Sequence, residues 1–208
     1  MNSITNDIIK MSSAIVETSY DILEGLKKSD VVLLEKAIEQ LANIDINANK
    51  IDNKIISSIQ LLCKCENSTR ELVSYFRIVS EFVQAARILR SFCRYILTYI
   101  NEHSFMAAKE YILKIFQLSI DAFIMSIELI KKRDYLDNTF RQIRVKQAEG
   151  HELLAKLEKN ITEFDTKYTL KCAGVLNTAE KLDEVFKTAI AIAKIILLIH
   201  DNGKIRIC

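Results

Sequence analysis

Apolar residues recur every three or four positions along nearly the whole chain, which is the spacing of one face of an α-helix. The clearest stretch follows Ser29 and Asp30, either of which is a suitable N-cap. Its apolar and small positions are Leu34, Ile38, Leu41, Ile44, Ala48, Ile51, Ile55, Ser58 and Leu62. This pattern predicts one long helix that packs on its neighbours along a single seam.

Five further segments show the same spacing, so that six helices are predicted in total. They lie at about 4–27, 68–101, 105–132, 135–159 and from 162–167 to 200. The segment near 105–132 is apolar almost all round, which is typical of a helix buried at the centre of a bundle. The segment near 135–159 is the most charged, and we expect it on the outside. Ser104 is predicted to cap the helix that follows it.

The two halves of the chain repeat one another. The segment EGLKKSD at 24–30 is echoed by ELIKKRD at 128–134, an offset of 104 residues. Each lies between a first helix and a long second helix, and each half has three helices with short connections. Repetition of this kind indicates a duplicated unit. We therefore predict an all-α fold: one domain over 1–208, a six-helix bundle made of three-helix repeats at 1–101 and 102–208.

Composition favours the same class. The chain has four Gly, no Pro and no Trp, whereas turn-rich β folds and parallel α/β folds depend on Gly and Pro in their loops. Its net charge of +2 supplies no general basic field for nucleic acid. The N-terminus does not read as a signal peptide, and the apolar stretch at 189–199 is shorter than the ~20 residues of a membrane span. These features predict a cytoplasmic protein.

Candidate catalytic and metal-binding motifs are weak. Cys63 and Cys65 form a C-x-C pair without a second pair or a nearby His, so the five cysteines are expected to be ordinary thiols, with redox use of this pair left open. A di-iron bundle needs Glu three residues before a ligand His. The residues three before His103, His151 and His200 are Ile100, Ala148 and Leu197. We expect no enzymatic activity and no cofactor.

Arginines form one stripe on the predicted third helix. Arg87, Arg90 and Arg94 are spaced i, i+3, i+7, which places them along the same face. Such a stripe is typical either of a surface that contacts an anion or an acidic partner, or of a solvated face whose charges pair with carboxylates such as Glu81 or those of a neighbouring helix. Both interpretations stay open at this point.

Two segments resemble the PhoU family of phosphate-uptake regulators. They are ILEGLKKSDVVLLEKAIEQLANIDINANKIDNKIISSIQLL at 22–62, with its Ile-Asp pairs at 44–45 and 51–52, and RELVSYFRIVSEFVQAARILRSF at 70–92. The resemblance covers essentially the whole chain. It implies a two-repeat, six-helix adaptor that regulates phosphate uptake or its signalling, with a phosphate transporter or a sensor protein as partner. A position at the membrane periphery is left open, while the long amphipathic helices with surplus apolar faces are compatible with a homodimer.

PhoU proteins carry E/D-x-x-x-D motifs on the third and sixth helices, whose carboxylates bind metal. Here the corresponding positions hold Val83 and Arg87 in the first repeat, and Asp183 and Lys187 in the second. We therefore expect no metal. Cations at 87 and 187 suggest instead an anion or partner contact that also involves Arg90 and Arg94. The alternatives to an adaptor are a helical bundle that binds a small anion or apolar molecule, and a structural protein that acts through oligomerisation.

Overall fold

The computed structural model describes residues 2–61, 66–131, 136–162 and 169–200. These residues are helical almost throughout and contain no strand. The segments are α1 (Asn2–Lys28), α2 (Val31–Ala42), α3 (Ile44–Leu61), α4 (Glu66–Tyr99), α5 (His103–Lys131), α6 (Leu136–Thr162) and α7 (Thr169–His200). None of them is long and apolar enough to cross a membrane.

The second predicted helix is correct in extent but is interrupted at Asn43. The backbone N–H of Asn43 donates to the carbonyl of Gln40 at 3.2 Å, which ends α2 in a tight turn before α3 begins. The prediction of one continuous helix is therefore wrong at this point. Leu41, Ile44 and Ala48 are all buried across the break, so the apolar spacing carries no sign of it. Asp30 is the N-cap, because its carboxylate accepts the N–H of Leu33 at 3.1 Å.

When α2 and α3 are counted as one interrupted helix, the described residues form six helices in two repeats of three. The first repeat contains α1, α2–α3 and α4, and the second contains α5, α6 and α7. Within each repeat the three helices pack on one another. Between the repeats, α4 packs on α7 and α1 packs on α5. The inner helices of the bundle are therefore the first and third of each repeat, and the second helices lie at the flanks.

Helices α4 and α7 run antiparallel, since Tyr95 lies beside Lys181 while Tyr99 lies beside Gly174. The two helices are also buried in the same pattern: each residue of 78–89 is buried, half-buried or exposed like its counterpart in 178–189. The offset here is 100, whereas the echoed segments before the second helices are offset by 104. The second repeat is thus four residues shorter between these points, about one helical turn.

Aromatic pairs join the two repeats at the core. The Phe82 ring of α4 meets the Phe123 ring of α5 edge-on, with centroids 5.7 Å apart, and Phe92 stacks on Phe116 at 5.4 Å. As predicted, α5 is a central helix: buried residues recur along its whole length, and they include the serines Ser104, Ser119 and Ser126. Helix α6 lies outside, also as predicted. Its buried positions are 136, 143, 150, 157 and 161, a single stripe.

Two local predictions have different outcomes. Ser104 does not cap α5: the N–H groups of Phe105 and Met106 both reach the carbonyl of Glu102 at 3.1 Å, and the Ser104 hydroxyl is buried without a hydrogen bond in the described part of the chain. The thiols of Cys93 and Cys172 are free and buried, as expected, and burial raises the pKa of the Cys93 thiol far above its ordinary value. The remaining cysteines, Cys63, Cys65 and Cys208, lie outside the described residues.

Candidate functional site

The four motif positions lie in matched environments. Val83 and Asp183 are both half-buried, and Arg87 and Lys187, one helical turn further along, are both exposed. Because α4 and α7 keep an offset of 100 through this region, the sequence alignment of these positions agrees with their structural equivalence. Each pair lies on the part of its helix that borders the second helix of the same repeat.

In the second repeat, Asp183 is the centre of a hydrogen-bonded cluster. Lys187 Nζ lies 2.8 Å from Asp183 Oδ2, while His151 Nε2 and Gln147 Nε2 lie 2.6 and 3.2 Å from Oδ1. Burial alone would raise the pKa of this carboxyl, but the contacts from Lys187, His151 and Gln147 outweigh it and hold the pKa below its ordinary value. The same carboxylate raises the pKa of the Lys187 ammonium. The cluster joins α6 to α7.

In the first repeat, the equivalent contact is a single ion pair. Arg87 Nη2 lies 2.8 Å from Asp45 Oδ1 on α3, with the side chains 58% and 36% exposed. Val83 packs against the core and offers no polar atom. A pair as exposed as this one adds only about 0–1 kcal/mol to stability. It connects α3 to α4 without locking them together.

These residues do not fit the metal cluster that the PhoU motifs would imply. Of the four motif positions only Asp183 is a carboxylate, and its oxygens are taken by an ammonium, an imidazole and an amide. In the first repeat the Arg87 guanidinium donates a hydrogen bond to Oδ1 of Asp45. Within the described ranges, no three His, Cys, Asp or Glu side chains come together in a way that could hold a metal ion.

The arginine stripe lines an open depression of about 380 Å³ on α4. Its lining residues are Arg87, Arg90, Ser91, Arg94, Tyr95 and Thr98. Arg87 is paired with Asp45, as the solvated-face interpretation requires, whereas the guanidinium groups of Arg90 and Arg94 have no ion-pair or hydrogen-bond partner among the described residues. Glu81 does not neutralise them. Its pKa is raised by burial, and the arginine that opposes this rise is Arg77.

A second, smaller groove of about 200 Å³ lies between α1 and α5. Both repeats line it, through Ser12, Ser13, Val16 and Glu17 of α1 and Ile124, Ile127, Glu128 and Lys131 of α5. A carrier of an apolar molecule would need an enclosed chamber at such a place. This groove is open and is flanked by charged side chains, so it gives the ligand-carrier alternative little support.

The fold as a whole matches a known structure. The chain aligns with the crystal structure of PhoU from Pseudomonas aeruginosa at a TM-score of 0.70, over 97% of each chain, with 13% sequence identity. This chain has the PhoU fold. No protein-family model matches the sequence, and no curated protein matches it significantly. At this identity the likeness concerns the backbone, which agrees with a bundle that keeps the PhoU architecture while the motif positions carry other side chains.

The partners of the motif positions could not be predicted from the sequence. Neither the contacts of His151 and Gln147 with Asp183 nor the pairing of Asp45 with Arg87 follows from spacing along one helix. Gly150, buried at the α6–α7 contact, stands next to His151 and marks the side of α6 that faces α7. A close glycine contact cannot be recognised from one sequence, because it depends on which helix lies opposite.

The Asp183 cluster makes stability depend on pH. Because the folded pKa of Asp183 lies below its ordinary value of 3.8, its contribution is fully present above about pH 4 and is lost as the pH falls through the folded pKa. We expect Asp183→Asn to lower the free energy of unfolding by about 1 kcal/mol near neutral pH. The difference from the parent protein should shrink in urea unfolding at about pH 3.

Glu180→Gln is the matched control, because it removes an exposed carboxylate from the same helix. It should change stability little at either pH. A constant difference between Asp183→Asn and the parent protein across this range would contradict the assigned role of the carboxylate.

Proposed function

We propose that this protein is a non-enzymatic regulatory adaptor that controls phosphate uptake or its signalling by docking helical faces on protein partners. The observation that carries the proposal is the PhoU fold over 97% of the chain. By the same likeness, the partners would be a component of a phosphate transporter or of a phosphate sensor.

The surface of the bundle supports docking over chemistry. The polar motif positions are used for ion pairs and hydrogen bonds: Arg87 contacts Asp45 of α3, Lys187 contacts Asp183, and Asp183 joins α7 to α6 through His151. The stripe on α4 presents two guanidinium groups without partners beside Tyr95, which is 50% exposed. Arginine and tyrosine are enriched at the energetic centres of protein interfaces. A charged stripe of this kind is what an adaptor requires.

The test is made in the native host. If the protein is such an adaptor, deleting the gene should change phosphate uptake, measured with labelled phosphate in cells grown at high and at low phosphate. A tagged copy, cross-linked in the same cells, should recover a phosphate-transporter subunit or a phosphate sensor above a tag-only control. The double variant Arg90→Glu, Arg94→Glu, which changes only side chains without partners, should recover less of it.

The proposal is wrong if uptake is the same with and without the gene and if neither class of partner is recovered. Recovery that is equal for the parent protein and the double variant would retain the adaptor role and assign docking to another face.

A further inference from the structure

The depression on α4 has the composition of an anion site. Ser91 stands at its centre, because Arg87 is four residues before it and Arg94 three residues after it, positions that lie beside it on a helix. The Ser91 hydroxyl has no partner among the described residues and is available as a donor. Among the described residues that line the depression there is no carboxylate. The lining therefore combines guanidinium and hydroxyl groups and contains no carboxylate among its described residues.

The charges of the depression are largely uncommitted. Arg90 and Arg94 have no partner in the described part of the chain, and Arg87 is held only by the exposed pair with Asp45. Since such a pair is worth about 0–1 kcal/mol, Arg87 can turn to another anion at little cost. A guanidinium without a counter-ion presents a planar set of donors that fits phosphate and carboxylate oxygens two at a time.

A fourth cation lies at the rim. Lys181 of α7 places Nζ 5.0 Å from the centroid of the Tyr95 ring, within the range of a cation–π interaction. Tyr95 itself lines the depression. The contact positions the ammonium close to the depression without using a carboxylate, and so adds to the positive potential there.

The second repeat shows that the fold does not require these side chains. At the offset of 100, Arg90 and Tyr95 correspond to Ile190 and Ile195, which are buried apolar residues of α7. Arg94 corresponds to Lys194, an exposed cation on α7. The arginine cluster thus belongs to the first repeat alone, and a ligand held by it would bind once per chain.

We propose that this depression binds a soluble anion with two or more phosphoryl groups, of the inorganic triphosphate class. Arg90 and Arg94 are four residues apart, ~6 Å along the helix axis, which is comparable to the separation of the outer phosphoryl groups in a triphosphate chain. Each outer group can then take its own guanidinium, while the Ser91 hydroxyl, which lies beside Arg94 on the helix, donates to an oxygen near that end. A single phosphate spans less of this distance than a triphosphate does, so we expect it to make fewer charge-assisted contacts with the two guanidinium groups.

The purified chain provides a direct test, independent of the adaptor role measured in cells. Inorganic triphosphate is titrated by calorimetry at constant ionic strength without divalent cations. We expect saturable binding of one triphosphate per chain, and orthophosphate should bind more weakly. Arg94→Gln and Arg90→Gln should each weaken triphosphate binding about tenfold, the loss of one charge-assisted contact.

Lys194→Gln is the matched control, because it removes one exposed positive charge at the equivalent position of the other repeat. It should leave affinity within about twofold of the parent protein. Thermal unfolding of all three variants should match the parent, since neither arginine has a partner to lose. If Lys194→Gln weakens binding as much as Arg94→Gln, only general charge attraction operates and the proposal fails.

Two further arms identify the source of the phosphoryl groups. If adenosine triphosphate binds as tightly as inorganic triphosphate, the site recognises the phosphoryl groups within a nucleotide. If adenosine triphosphate does not bind, the site recognises a free oligophosphate. Either outcome supports the site. Orthophosphate that binds as tightly as triphosphate overturns it. So does binding to phosphatidylserine vesicles in the absence of triphosphate binding, because the face would then contact a membrane surface.

Discussion

Replacing Phe82 with alanine is expected to lower the free energy of unfolding by about 3–5 kcal/mol, a large share of the ~5–15 kcal/mol that stabilises a typical domain. Phe82 is fully buried, and its ring meets that of Phe123 edge-on across the boundary between the repeats. The substitution removes the buried apolar area of the ring and its contact with Phe123. It also leaves a cavity that α4 and α5 cannot fill completely. Urea unfolding followed by circular dichroism measures the change.

Phe76→Ala is the control for Phe82→Ala, because it makes the same truncation on α4 at a ring that is 43% exposed. It should cost less than about 1 kcal/mol, since little apolar area leaves the core. If the alanine variant at 82 does not fold, Phe82→Leu retains most of the volume and should cost roughly 1–1.5 kcal/mol. Equal costs at 76 and 82 would show that the contact between α4 and α5 does not hold the repeats together.

Gly150→Ala is expected to destabilise the protein by about 1–2 kcal/mol, although alanine is the better helix former by ~1 kcal/mol. Gly150 is a buried residue of α6. A methyl group there would lie 2.7 Å from Cε2 and 2.9 Å from Cζ of Phe186, whose ring is itself enclosed and cannot move aside. The overpacking cost therefore exceeds the gain in helix propensity, and the midpoint of urea unfolding should fall.

A double-mutant cycle separates the overpacking cost against Phe186 from the gain in helix propensity. In a Phe186→Leu background the ring edge is gone, so that Gly150→Ala should become neutral or stabilising by the helix-propensity gain of up to ~1 kcal/mol. A destabilisation of the same size in both backgrounds would mean that the ring of Phe186 is not what excludes a side chain at position 150.

Much of the fold could be predicted because burial in this bundle is expressed as local periodicity. A face of one helix is apolar at every third or fourth residue, so the six segments, the central place of α5 and the outer place of α6 could all be read from spacing. The break at Asn43 could not, since Leu41, Ile44 and Ala48 keep the seam in phase across it. The predicted cap at Ser104 is wrong because the N–H groups of Phe105 and Met106 donate to the backbone carbonyl of Glu102 instead.

Only part of the candidate site could be predicted from the sequence. Spacing placed Arg87, Arg90 and Arg94 on one face, and the family pattern singled out positions 83, 87, 183 and 187. Spacing did not show that Arg87 meets Asp45 on another helix while Arg90 and Arg94 meet no partner among the described residues. Partners on different helices are fixed by how the helices pack, which one sequence does not express.

The class and the repeat could be predicted from the sequence by itself: helical periodicity, the absence of Pro and the echo at 24–30 and 128–134 indicate an all-α chain of two similar halves. The tertiary structure alone decided the enclosure of Asp183 by His151 and Lys187, the pairing of Arg87 with Asp45, and the exposure of Arg94, unpaired among the described residues, in the depression on α4. The physical reason is that a helix forms from interactions within a few residues, whereas the neutralisation or exposure of a charge depends on groups brought from distant parts of the chain.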